Sequence, residues 1–151
     1  MKTFLDLLNT ASNQTIEINI DLRPIVDNGV PWATVIVNDI CLLDQHCSDF
    51  TNVTCQVPLM ASFKIVVEMH NKIYDEHRES ALVIERLEID DHLILPKFNH
   101  LTQYTNDHDK VVYSNYLGYN GTWVLHIDKP FYQWFHHANN RGWLLHPSNK
   151  F

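Results

Sequence analysis

The sequence predicts an all-β protein: an antiparallel β-sandwich of the jelly-roll type that forms a single domain over residues 1–151. Apolar residues recur with a period of two in short segments, and turn residues separate these segments at short, regular intervals. A helical period is suggested only in the short stretch from Thr3 to Leu8. With 45% apolar and 19% charged residues, the chain has the composition of a globular domain.

Strict alternation predicts the first strand. Residues 16–22 alternate apolar and polar side chains, and we expect this strand to end at Pro24. The β-branched run from Pro31 to Ile40 is apolar on both faces, which favours a position in the middle of a sheet. Alternation returns from Ala61 to His70 and predicts a strand with one buried face, followed by an exposed turn over 71–79.

A change of parity marks the segment from Ala81 to Asp90. Its apolar positions shift from even to odd numbers, which predicts a β-bulge near Glu85 and Arg86. Such a bend suits a strand that crosses from one sheet to the other. The pair Asp90-Asp91 predicts a tight turn before a strand that stops at Pro96.

The C-terminal third contains the strongest turn signal. Asn120-Gly121 predicts a type I′ hairpin, with Gly118 opposite Trp123 and Asn115 opposite His126. Trp123, Leu125, Ile127 and Tyr116 would then share the core face, and the polar stretch 99–110 would be a loop. We further expect a short helical turn over 130–137 and a last strand over 142–146.

Charge and hydropathy exclude several partners. The net charge is −7 and the chain has no basic run, so we expect no nucleic acid partner. Apolar stretches are far shorter than the ~20 residues that span a bilayer, so membrane insertion is not expected. Asp6 interrupts the N-terminal apolar residues, which predicts cytoplasmic synthesis without a signal peptide.

The three cysteines favour a reduced protein. Cys41, Cys47 and Cys55 are an odd number, and we expect them to be small apolar side chains. With His46 they form a four-residue zinc set, but its spacing is not that of a zinc knuckle.

Two further groups of residues suggest metals. His126 and Asp128 would present two ligands on one face of a strand, with a third from His136, His137 or His146, as in a metal-dependent enzyme. Asp107 and Asp109 are candidate calcium ligands, because they belong to an oxygen-rich polar segment that the Asp90-Asp91 turn could approach. The alternative is that these side chains are simply solvated.

Aromatic residues give the strongest functional indication. They concentrate after Phe98, and the run from Phe131 to His137 holds six rings in seven positions. We expect some of these rings to face solvent or another chain, where Trp and Tyr beside amides can bind sugars or protein subunits. The candidate ligand-binding residues are Tyr132, Trp134, His136 and His137. The alternative is that most of the tryptophans belong to the core.

Two resemblances extend this interpretation. The strand pattern of 16–38, 63–67 and 82–95, with its Ile89-Asp90-Asp91 turn, resembles calcium-dependent carbohydrate-binding modules of the xylan-binding kind. This resemblance implies a β-sandwich that binds glycans through loop residues and Ca²⁺ without catalysis. The block from Tyr119 to Pro147 is similar to small proteins of tailed bacteriophages.

Together these observations predict a non-catalytic binding module, as a glycan-recognition protein or a bacteriophage virion component, that forms a homo-oligomer. A purely structural oligomeric protein is the first alternative. A metal-dependent enzyme that uses His126 and Asp128 is the second.

Overall fold

The computed structural model describes residues 14–72 and 74–144, and their side chains through Asn139. Eleven strands and one α-helix form the described part, which confirms the predicted antiparallel β-sandwich. The strands are β1 (Thr15–Val26), β2 (Trp32–Val37), β3 (Ile40–His46), β4 (Thr51–Pro58), β5 (Phe63–His70), β6 (Ser80–Ile89), β7 (His92–Leu95), β8 (Thr102–Asn106), β9 (Val111–Val112), β10 (Tyr116–Leu117) and β11 (Gly121–Ile127), and the helix is α1 (Phe131–Leu144).

Two sheets face each other across one core. The first has the order β10-β6-β1-β4 with β7 also paired to β6, and the second has the order β3-β2-β5-β11-β8-β9. Most connections pass from one sheet to the other, so apolar faces distant in sequence are brought together. The largest fully buried side chains include Trp123, Tyr104 and Phe131.

Strand β1 buries the alternating side chains that the sequence predicted, but it does not end at Pro24. Ile16, Ile18, Ile20 and Leu22 are buried, and the strand continues to Val26. Pro24 is tolerated because β4 pairs with β1 only as far as Leu22, so the missing N–H of Pro24 faces no β4 partner.

The predicted bulge in β6 is confirmed. Asp21 pairs with Arg86 and Leu22 pairs with Ile84, which leaves Glu85 as the extra residue. The strand nevertheless stays in one sheet, so the predicted crossing between sheets is wrong. The Asp90-Asp91 turn is confirmed, because both residues have positive φ (49° and 64°) and connect β6 to β7 as a hairpin.

Strand β2 is one position from the sheet edge rather than in the middle. It lies between β3 and β5, and β5 and β11 occupy the centre. The segment 99–110 is not one long loop either. A 3₁₀ turn (Asn99–Leu101) leads into β8, where Thr102, Tyr104 and Asn106 are buried. The apolar pattern did not predict this strand, because the side chains on its buried face are Thr, Tyr and Asn.

The prediction of a hairpin at Asn120-Gly121 is wrong. Strand β10 pairs with β6 and strand β11 pairs with β5 and β8, so the two segments belong to different sheets. Neither Asn120 nor Gly121 has positive φ. A Cβ at Gly121 would lie 2.4 Å from the carbonyl oxygen of Thr105, so the glycine permits close approach of β8. Trp123, Leu125 and Ile127 of β11 do face the core as predicted, whereas Tyr116 is exposed.

The aromatic run forms a helix longer than predicted. Helix α1 begins after Pro130, whose carbonyl accepts the N–H of Trp134 at 3.0 Å, and it continues to Leu144. The predicted strand over 142–146 is therefore wrong as far as Leu144, and residues 145–146 lie outside the described residues. The predicted helical stretch Thr3–Leu8 lies outside them as well. Among the described residues, no helix is long and apolar enough to cross a bilayer.

Candidate functional site

A cavity of about 800 Å³ opens at one end of the sandwich, a volume typical of ligand pockets. It lies where the β5–β6 connection meets the β8–β9 hairpin and the segment before β11. We call it the tyrosine groove because four tyrosines line it. The lining residues are Tyr74, Tyr104, Tyr116 and Tyr119, the charged or titratable Lys72, Asp75, Glu76, Glu79, His108 and Lys110, and Asn106, Val112, Ser114 and Gly118.

Three of the tyrosines present rings to solvent. Tyr74, Tyr116 and Tyr119 are 45%, 39% and 44% exposed. The rings of Tyr74 and Tyr119 lie 5.5 Å apart at 34°, and the His108 ring meets Tyr119 edge-on at 5.7 Å. Such rings offer flat apolar faces beside polar edges.

The fourth tyrosine supports the groove from below. Tyr104 is 2% exposed, and its hydroxyl donates to the carbonyl of Tyr119 and accepts the N–H of Tyr119 at 3.0 Å. Burial raises the pKa of Tyr104 to about 12, so the phenol stays neutral further into the alkaline range than an exposed tyrosine does.

Lys72 and Glu79 form the main ion pair of the groove. The Lys72 ammonium donates to Glu79 at 2.6 Å, and this hydrogen bond lowers the pKa of the Glu79 carboxyl. Tyr116 also hydrogen-bonds Glu79, and burial is the main reason that the pKa of Tyr116 is raised. Glu79 is thus held in its ionised form.

The predicted calcium ligands Asp107 and Asp109 lie in the β8–β9 hairpin beside this groove. The Tyr74 hydroxyl donates to Asp107, and burial together with this bond raises the pKa of Tyr74. The side-chain oxygen of Asn106 accepts the N–H groups of His108 and Lys110 at 2.9 and 3.0 Å. Asp109 has positive φ in the same turn. Within 14–72 and 74–144, no three His, Cys, Asp or Glu side chains are grouped to hold a metal ion.

The Asp90-Asp91 turn does not approach Asp107. It lies at the far end of β6 from Glu79, roughly 30 Å away by the rise of a ten-residue strand. There Asp90 accepts the hydroxyl of Tyr132, which raises the pKa of Tyr132 to about 12.

Helix α1 divides the predicted ligand-binding residues between two faces. Trp134 is 7% exposed and packs edge-on against Phe98 at 5.9 Å, so its ring faces the core and not solvent. Helical spacing turns it inward with Phe131. Tyr132, His136 and His137 are exposed on the outer face, with the two histidine rings 6.3 Å apart.

The structure brings together three of the residues that the metal-enzyme hypothesis requires, His126, Asp128 and His137. His126 is exposed and pairs with Lys64, not with Asn115 as the predicted hairpin required. His126, Asp128 and His137 line one small cleft of about 140 Å³. They are not arranged as a metal-binding group in the described structure.

The cysteines are unpaired thiols in the structure. Cys41 is exposed to solvent, Cys47 is buried and Cys55 is half-buried. Burial raises the pKa of the Cys47 and Cys55 thiols, which keeps them protonated.

Sequence reasoning missed the tyrosine groove. Its tyrosines are spread from Tyr74 to Tyr119, whereas the helix run concentrates its rings in seven positions. Lys72, Tyr74 and Glu79 belong to a segment that the sequence predicted as an exposed turn. No local signal separates these residues from ordinary surface side chains.

The fold resembles that of one solved carbohydrate-binding module. The selenomethionine form of vCBM60, described as belonging to one of two circularly permuted families of calcium-dependent carbohydrate-binding modules, matches with a TM-score of 0.52 and 13% identity. The match covers 74% of this chain and 90% of that protein. At this identity the likeness defines a class of β-sandwich fold.

No family model and no curated protein matches the sequence. The expected similarity to bacteriophage proteins is not found in these comparisons.

Proposed function

We propose that the protein is a non-catalytic glycan-binding module whose ligand occupies the tyrosine groove. The observation that carries this proposal is a cavity of about 800 Å³ that combines three exposed tyrosine rings with hydrogen-bonding side chains. Tyrosine rings stack on the apolar C–H faces of sugars, while amide, hydroxyl and charged groups bind sugar hydroxyls. The carbohydrate-binding-module-like sandwich supports the same assignment.

The electrostatics of Glu79 suit a hydrogen-bond acceptor better than a general acid. A glycosidase needs a carboxylic acid whose raised pKa keeps it protonated for donation to the leaving group. In this groove the Lys72 ammonium lowers the pKa of Glu79 instead. Glu79 is therefore suited to accept hydrogen bonds from sugar hydroxyls.

Affinity electrophoresis in gels that contain xylan, mixed-linkage β-glucan or galactomannan tests the proposal. We expect one of these polysaccharides to retard the protein and Tyr119→Ala to weaken retardation about tenfold, or ~1.4 kcal/mol. That is the effect of uncovering about 60 Å² of stacked apolar surface. Tyr113→Ala is the matched control, because Tyr113 is 60% exposed and lies outside the groove.

A further variant separates the groove from helix α1. Tyr132→Ala removes the exposed ring of the helix face, and we expect it to bind as the wild-type protein does. Weaker binding by Tyr132→Ala with unchanged binding by Tyr119→Ala would move the site to the helix and overturn the groove assignment.

A further inference from the structure

Lys72 is a nearly buried cation at the centre of the tyrosine groove. Its side chain is 7% exposed, although it carries a full charge in a surface cavity. The ammonium donates to Glu79 at 2.6 Å and to the carbonyl oxygen of Gly118. It also lies 5.3 Å from the ring centroid of Tyr74 and 5.2 Å from that of Tyr119.

These surroundings are those of a cation-binding site, and the cation that occupies it is the Lys72 ammonium itself. A desolvated ammonium needs oxygen partners and gains further from aromatic faces within about 6 Å. Lys72 has a carboxylate, a carbonyl and two tyrosine rings around one Nζ atom.

The same lysine links the β5–β6 connection to the segment before β11. Its backbone N–H donates to the side-chain oxygen of Asn120 at 2.9 Å, while its Nζ atom reaches Gly118. The backbone N–H of Asn120 in turn donates to the Tyr74 hydroxyl at 3.3 Å. Both stacking rings, Tyr74 and Tyr119, therefore depend on contacts with Lys72 or its partners.

Two oxygen-bearing side chains beside these rings already accept hydrogen bonds from the protein itself. Asp107 accepts the Tyr74 hydroxyl, and Asn106 accepts two backbone N–H groups. Among the residues that the structure describes, no three His, Cys, Asp or Glu side chains group to hold a metal ion, which contrasts with the calcium dependence in the description of the structural relative.

We propose that Lys72 is the resident cation of the tyrosine groove and positions Tyr74 and Tyr119 for stacking, so that glycan recognition is independent of calcium. This inference rests on the proposed glycan-binding function. It assigns Lys72 as a positioning residue rather than a direct ligand contact.

The test compares Lys72→Met with Lys72→Arg, which restores the charge. Lys97→Met is the matched control, because Lys97 also lies over aromatic rings, at 5.1 Å from Phe98, but outside the groove. Retardation by the polysaccharide gels is measured with EDTA and with millimolar CaCl₂. Near-UV circular dichroism reports the tyrosine environment without any glycan, and thermal unfolding confirms that each variant is folded.

We expect wild-type retardation to be the same in EDTA and in CaCl₂. Lys72→Met should lose about tenfold in affinity in both buffers and lose near-UV signal. Lys72→Arg should recover part of both, and Lys97→Met should leave both unchanged. If Lys72→Met does not fold, Glu79→Gln takes its place, with a smaller loss in the same two measurements.

Two results would overturn the inference. One is unchanged affinity and near-UV signal in Lys72→Met, and the other is retardation that EDTA abolishes and CaCl₂ restores. If the wild-type protein binds none of the polysaccharides, the proposed function fails in those gels. The near-UV signal then still decides whether Lys72 positions the two rings.

Discussion

At the scale of single residues, Tyr104 shows how a buried polar group shapes the tyrosine groove. Its hydroxyl satisfies both the N–H and the carbonyl of Tyr119, so the ring of Tyr119 is presented from a fixed backbone. The cost of burying the phenol is offset by these two bonds. Because desolvation disfavours the phenolate, the pKa of Tyr104 rises to about 12.

This raised pKa predicts an alkaline loss of stability. The neutral phenol is favoured in the folded state, so its contribution is complete below the unfolded pKa of about 10 and is lost as pH rises from 10 to about 12. Urea unfolding between pH 8 and 12 should therefore show falling stability over that interval. Tyr132, whose pKa is also about 12, adds to the same slope.

Tyr104→Phe isolates the contribution of one hydroxyl. At neutral pH we expect it to cost about 1–3 kcal/mol, because the backbone groups of Tyr119 lose their partner. Its alkaline slope should be shallower than that of the wild-type protein. Tyr113→Phe serves as the exposed control, and an equal slope in all three proteins would contradict the assignment.

At the scale of elements, the bulge in β6 can be tested by deletion. Glu85 is the extra residue opposite β1, since Ile84 already pairs with Leu22 and Arg86 with Asp21. Removing Glu85 would leave a regular ladder with Leu87 still on the core face. The deletion removes the ion pair between Arg23 and Glu85, which contributes little to stability because both side chains are exposed.

We therefore expect the variant that lacks Glu85 to fold, with a change of about 1 kcal/mol or less in its free energy of unfolding. Deletion of Glu88 is the control, because it turns Ile89 away from the core and should cost several kcal/mol. Urea denaturation measures both. A deletion of Glu85 that unfolds as readily as a deletion of Glu88 would show that the bulge itself is required.

Helix α1 contributes side chains to the core. Phe131, Trp134 and Ala138 are buried at helical spacing, and Phe131 stacks on the half-buried Phe135 at 5.5 Å. The helix thereby closes the end of the sandwich near Phe98.

Trp134→Ala should destabilise the fold by about 3–5 kcal/mol, the usual cost of emptying a buried tryptophan site. Gln133→Ala, on the exposed face of the same helix, should change stability by less than about 0.5 kcal/mol. Thermal and urea unfolding of the two variants give the comparison. Wild-type stability in Trp134→Ala, together with lost subunit assembly, would support the structural-oligomer alternative.

At the scale of the whole molecule, the two sheets share one core because most connections cross between them. Strands β1 and β6 contribute one apolar face and strands β5 and β11 contribute the other. Neither sheet can separate without exposing both faces to water.

The shared core predicts cooperative unfolding of a single domain. Tryptophan fluorescence, which reports the fully buried Trp123 among others, and far-UV circular dichroism should give coincident urea transitions. Two separated transitions would show that the chain contains independently folding parts.

Sequence patterns alone predicted the elements whose side chains alternate between core and water. Burial of β1 and β5, the bulge at Glu85 and the turn at Asp90-Asp91 follow from local periodicity and turn chemistry. These features depend on neighbours a few residues apart, so they can be recognised without knowledge of the fold.

Helix α1 was underestimated because Phe, Tyr, Trp and His have weak helix propensity, and packing against Phe98 stabilises it instead. Asn120-Gly121 has the composition of a hairpin, yet its flanking strands find stronger partners in opposite sheets.

The sequence by itself therefore determined the β-sandwich class and the alternating core, because both are encoded by local period. Only the tertiary structure decided where the tyrosine groove, the proposed ligand site, lies. The tyrosine groove joins Lys72 and Tyr74 to Gly118 and Tyr119, more than forty positions later in the chain. A contact at that separation depends on strand pairing and loop closure across the whole fold, which no local pattern records.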